Sequence, residues 1–136
     1  MFRALSSNIL VTAAFAWFVT IVAAPLVPSE SLYGFFRIIC HQDLSRSWIL
    51  MDHQLPVCIR CASIYFGFLA GLLSGLSPNT QWLRWSIAIS AGEFLLGHFF
   101  LDSELLRCIT GLRLGLAAAP FVRAGWEGMW TSHESV

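Results

Sequence analysis

The sequence predicts an all-α integral membrane protein: a four-helix bundle with a long Cys/His-containing loop between helices one and two. Three observations predict it. Of the 136 residues, 57% are hydrophobic and only 12% are charged, where a soluble domain carries about 25%. Mean hydropathy is +0.68. Four apolar stretches, each roughly 18–20 residues long, reach the lower bound for crossing an apolar core ~30 Å thick. Helices are expected because a spanning segment must satisfy its own backbone hydrogen bonds. The length suits a single transmembrane domain, 1–136.

The first stretch, 9–27, follows Arg3 and stops at "PLVPSE". An arginine, an apolar run and small residues also describe a signal peptide; we read the segment as a first membrane helix. The second, 57–76, contains "GFLAGLLSG", with Gly67, Gly71 and Gly75 four apart, and ends at "SPNT". The third covers 82–101. The fourth, 105–122, carries Gly111 and Gly115 in "GLRLG". Small residues at this spacing let another helix backbone approach closely, either within the bundle or on another membrane subunit.

Folding these spans back and forth places the loop 28–56 and the turn at 102–104 on one membrane face. Cys40, His41, His53, Cys58, Cys61, His98, Asp102 and Cys108 all converge there, and we call it the motif face. His133 lies apart, in the polar tail. Both termini and Trp82, Trp85, Trp126 and Trp130 gather on the other face, as an aromatic belt would. Arginines are divided four to three between the faces, so the positive-inside rule selects neither orientation.

The eight basic residues are all arginine and are balanced by eight acids. Nucleic-acid binders need clustered basic charge, so that class is set aside; the lipid bilayer is the expected partner.

"CHQ" at 40–42, Arg46–Ser47, "HQLPVCIRC" at 53–61, Tyr65, Gly67 and "RCITG" at 107–111 together resemble a family of small prokaryotic membrane proteins, domain of unknown function 2085. The resemblance covers about residues 30–116. It implies a compact multi-span protein of the prokaryotic inner or cytoplasmic membrane whose Cys and His residues belong to one site, and it brings no activity with it. Ala62–Ser63 departs from the Thr-Gly of the family pattern, Ser103–Glu104 stands near an expected Asn, and Cys108 fills a variable position.

The leading chemical reading is a structural zinc site. Cys-x-x-Cys lets two thiolates reach one tetrahedral ion, with zinc–sulfur bonds of about 2.3 Å. Cys40 is the expected third ligand, and His41 competes with His53 or His98 for the fourth place. Such a site would clip the loop onto helix two. A redox reading is also open: Cys58 and Cys61 open a helix whose dipole favours thiolates, and exchange with quinones would pair Cys40 with Cys108. Buried cysteines can also simply pack as small apolar residues.

Glu93 and Arg113 each lie midway along a predicted span. Isolated charges at the bilayer centre cost about 2.5–3.5 kcal/mol each, so a Glu93–Arg113 ion pair is expected. His98 and Asp102 share a helical face. Asp102 could orient His98 as a metal ligand, or His98 could hold a tetrapyrrole within the membrane. No activated serine, carboxylate pair or phosphate loop is present, which weighs against an enzyme. The functional expectation is a small metal-site membrane protein, with an accessory subunit of a respiratory or photosynthetic complex, or a quinone-linked thiol–disulfide protein, as alternatives.

Overall fold

A computed structural model describes residues 2–99 and 103–131, with side chains over 7–97 and 103–129. The described chain is mostly helical. α1 (Phe2–Ala23) leads through a 3-10 turn (Ala24–Leu26) to a short α2 (Glu30–Arg37). A second 3-10 turn (Leu44–Arg46) precedes β1 (Ile49–Leu50) and β2 (His53–Gln54), and three long helices follow: α3 (Ile59–Ser74), α4 (Thr80–Phe99) and α5 (Glu104–Thr131).

The stops and starts follow local chemistry. Pro25 and Pro28 close α1, since proline supplies no N–H for another helical turn. Gly75 ends α3 in the left-handed region at φ 64°, the usual place for glycine after a helix. Asn79 caps α4 by accepting from the Trp82 N–H at 3.1 Å. Glu104 sits in the first turn of α5, where negative charge complements the helix dipole.

Two points differ from the sequence reading. Among the described residues there are five α-helices rather than four, because α2 and a hairpin form inside the expected loop. α2 is strongly one-sided, burying Phe36 while Arg37 stays outside. In the hairpin, Ile49 pairs with Gln54 and Leu50 with His53. Met51 and Asp52 form its two-residue turn at φ 52° and 63°, the positive values that match strand twist. Secondly, α5 does not stop near Val122 but continues through Pro120 to Thr131. Two described segments, Ser7–Leu26 and Glu104–Met129, are long and apolar enough to cross a membrane; α3 is apolar but shorter, at 16 residues.

The glycines explain the tightest packing. A Cβ on Gly111 would come within 2.7 Å of the Arg60 carbonyl oxygen, and one on Gly71 within 2.6 Å of the Ala119 Cβ. At Gly67 and Gly115 it would collide with the backbone oxygens of Leu112 and Ile64. The glycine faces of α3 and α5 therefore meet each other. Gly75 is not part of this groove; a Cβ there would meet nothing within 4 Å.

A second core lies at the motif end, where Ile21, Phe36, Cys40, Leu55, Val57 and Ala62 are buried together. Trp17 of α1 sets its ring edge-on to Phe36 and Tyr65, with centroids 5.4 and 6.0 Å away. This cluster joins α1, α2, the hairpin and α3 around the cysteines.

Candidate metal centre

Two segments deliver three thiols to one point. Cys40 follows α2, its N–H donating to the Phe36 carbonyl at 2.9 Å. Cys58 is the N-cap of α3, extended at φ −69° and ψ 162°. Cys61 lies in the first turn of that helix, so the Cys-x-x-Cys spacing projects both sulfurs from the helix start. The Sγ atoms of Cys40, Cys58 and Cys61 lie within 4.8 Å of one another. Zinc–sulfur bonds of about 2.3 Å in a tetrahedron place sulfurs ~3.8 Å apart, so a small contraction brings the trio onto one ion. Three soft donors also favour zinc and other thiophilic metals.

Within the trio Cys58 stands apart electrostatically. The Cys58 N–H donates to the Cys40 sulfur at 3.2 Å. Cys58, ahead of the first residue of α3, has its thiol well below the ordinary range. The Cys61 thiol is the main cause, hydrogen-bonding to the Cys58 sulfur; the Cys61 and Arg60 N–H groups and Cys40 add to it.

Two glutamines fix the spacing. Gln42, in the left-handed region at φ 51°, donates from Nε2 to the carbonyls of Tyr33 at 2.8 Å and Pro56 at 2.9 Å. Gln54 donates back to the Gln42 carbonyl at 2.7 Å, and the Tyr33 hydroxyl donates to the Gln54 carbonyl at 2.5 Å. Residues two away from Cys40 and from Cys58 are thus stitched together. Both glutamines stand within the Cys/His motifs, but the sequence alone assigns them no role. Their signal was placement, one directly after Cys-His and the other just before Leu-Pro-x-Cys.

The thiols face a cavity of about 710 Å³ that is also lined by His41, Arg46, Arg60, Glu93 and Arg107. Glu93 is buried and ion-paired, but not with Arg113. Its Oε2 meets Arg60 Nη2, and its Oε1 lies 4.0 Å from Arg107 Nε. Thr110 adds a contact at 3.4 Å. Counted from the α4–α5 turn, Thr110 stands opposite Glu93. Arg113 is three residues, about 4.5 Å, further along, and about 120° around the axis from Arg107. Its Nε is buried without a hydrogen-bond partner. Pairing residues at span midpoints failed because Glu93 is met by Arg60 of α3 and by Arg107 in the first turn of α5.

The remaining candidates scatter. His41 is exposed at the cavity wall and His53 is exposed on β2; neither joins the thiol trio among the described residues. Cys108 accepts a hydrogen bond from the Ser63 hydroxyl at 3.2 Å and borders a different, apolar cavity of about 610 Å³. The side chain of His98 and the whole of Asp102 lie outside the described residues.

The sequence profile of a family described as predicted membrane protein (domain of unknown function 2085) matches residues 40–121. An uncharacterised protein of Methanothermobacter thermautotrophicus is 30% identical over 93 residues, 62% of this chain and 84% of that protein. An uncharacterised protein of Methanocaldococcus jannaschii is 43% identical over 45 residues, 33% of this chain; the match spans only 29% of that relative's length. No solved structure matches.

Proposed function

This chain belongs to the family of predicted membrane proteins with domain of unknown function 2085, and from that premise we propose a small polytopic membrane protein built around a thiolate metal centre. The observation that carries this reading is the approach of three sulfurs to within 4.8 Å of one another. Zinc suits the site best: it takes cysteine thiolates in tetrahedral geometry without redox change. The ion would clip the segment 28–56 to the start of α3, with α1, α3, α4 and α5 as the four spans of the bundle. The archaeal relatives support a prokaryotic cytoplasmic membrane. The test is elemental analysis of the purified protein beside a Cys58→Ser/Cys61→Ser variant. About one zinc per chain, lost in the variant, is expected; metal-free wild-type protein would remove the reading.

A second reading is favoured by the Cys58–Cys61 contact itself. A low-pKa thiol beside a second thiol is the arrangement of disulfide exchange. Oxidation of the pair would form one disulfide and pass two electrons and two protons to a quinone, giving the hydroquinone. Thiol labelling that is unchanged by quinone would eliminate it. In either reading the protein could serve as an accessory subunit of a larger membrane complex, which co-migration with other subunits in mild detergent would reveal.

A further inference from the structure

Residues lining the cavity beside the thiols carry buried polar atoms that make no hydrogen bond within the protein. Arg46 Nε and Arg60 Nε are enclosed donors without a hydrogen-bond partner, and Glu93 Oε1 is an enclosed acceptor without one. All three residues line the same 710 Å³ space. The Glu93 side chain is only 3% exposed, and Arg60, holding the other carboxylate oxygen, is 22% exposed. Buried polar groups are nearly always satisfied, and each unmet one costs a full desolvation penalty. A ligand that completes this set must accept from two guanidinium groups and donate to one carboxylate.

Among small anions, only one that keeps a proton does both. A carboxylate or a sulfate accepts but brings no proton. A phosphate that retains one hydrogen accepts through its unprotonated oxygens and donates through the remaining hydroxyl. Arginine also matches phosphate geometry in a way a point charge does not. Neighbouring charges set the limits of the site. Asp43 stands 3.6 Å from Arg46 without a hydrogen bond to its Nε, and Arg107 flanks Glu93 at 4.0 Å. His41 adds a further titratable side chain to the wall. Ile39, Phe94 and Gly97 supply apolar lining, and the volume far exceeds one phosphate.

We propose that this cavity binds a singly protonated phosphate or phosphomonoester, with Arg46 and Arg60 as anion donors and Glu93 Oε1 as acceptor of the phosphate proton. The inference stands on the cavity's own atoms and does not require a metal at the thiols. Two sources carry this chemistry: free phosphate, or a lipid phosphomonoester whose chains lie along the apolar wall.

The test uses the full-length purified protein at pH 6, where about half of a phosphomonoester keeps its proton. Calorimetric titration in detergent with inorganic phosphate and with sulfate at equal ionic strength gives the first arm. Titration in nanodiscs with and without phosphatidic acid gives the second. Saturable phosphate binding, with sulfate weaker by about tenfold or more, is expected, because sulfate leaves Glu93 Oε1 without a donor. Binding only in the phosphatidic acid arm supports the proposal and identifies the lipid as source. Arg60→Met should weaken binding about tenfold. Glu93→Gln, whose amide can donate to sulfate, should erase the preference for phosphate over sulfate, which general loss of stability would not do. Equal affinity for phosphate and sulfate in the wild-type protein, or binding in neither arm, would overturn the proposal even if the variants fail to fold.

Discussion

Among single residues, the one with the most leverage on the proposed centre is not a ligand. Gln42 joins the segment after Cys40 to the segment before Cys58 through two carbonyls. Removing its amide frees both ends of the thiol triangle while leaving every sulfur in place. Supporting residues of this kind commonly contribute 10–100-fold to metal affinity, so Gln42→Ala should weaken zinc by about that factor in competition against a chromophoric chelator; unchanged affinity would deny the latch a role. Cys58 allows a pH prediction. Its pKa is lowered by the Cys61 thiol and by N–H groups at the helix start, so a larger thiolate fraction survives at a given pH. In metal-free protein, Cys58 alkylation should stay fast from pH 8 to pH 6. An ordinary thiol, with a pKa near 8.5, loses about tenfold per unit over that range. Mass spectrometry of the alkylated peptides at each pH separates these outcomes, and a Cys58 that slowed like an ordinary thiol would contradict the helix-start electrostatics.

Among the elements, α3 carries the heaviest load: its start holds two thiols and its length is keyed into α5. A side chain at Gly115 would strike the Ile64 carbonyl, approach the Phe68 nitrogen to 2.6 Å and meet the Gly67 carbonyl carbon at 3.0 Å. Gly115→Val should therefore cost about 3 kcal/mol, while Gly75→Ala, strained only by its positive φ, should cost about 1 kcal/mol. Detergent-titration unfolding of the two variants measures the difference; equal losses would mean that the α3–α5 contact is looser than its glycines require. What the sequence revealed follows the same division. The glycine spacing announced close packing, and the cysteine spacing announced a common site, because both are short-range patterns on one helix or its cap. α2 and the hairpin were hidden inside the segment expected to be a loop. Phe36 and Leu55 acquire a buried face only once Trp17, Val57 and Ala62 arrive from elsewhere. The partner of Glu93 was missed because Arg60 reaches it from α3, whereas pairing span midpoints compares only α4 with α5. Arg60, lying between the two cysteines, gives no local sign that it meets a distant glutamate.

At the scale of the whole molecule, two independent fastenings hold different parts together. Glycine-to-backbone contact locks α3 onto α5 along their length. At the motif end, thiols, the two glutamines and the Trp17 cluster hold 28–56 against α1 and the start of α3. Only the second fastening includes the proposed metal. Removing the ion leaves three thiols with mutual repulsion or protons in place of shared coordination, since metal binding and folding of its ligand segment are coupled. It leaves the glycine contacts untouched. Local opening should therefore precede global unfolding. A strong chelator is expected to make 28–56 cleavable by protease while the α3–α5 portion stays resistant; in Gly115→Val with metal present, the order should reverse. Limited proteolysis with mapped cleavage sites distinguishes the two patterns. Simultaneous loss of both regions on chelation would make the metal a keystone of the entire bundle rather than a clip on one end. No change on chelation would assign the ordering of the loop to Gln42, Gln54 and Tyr33 alone.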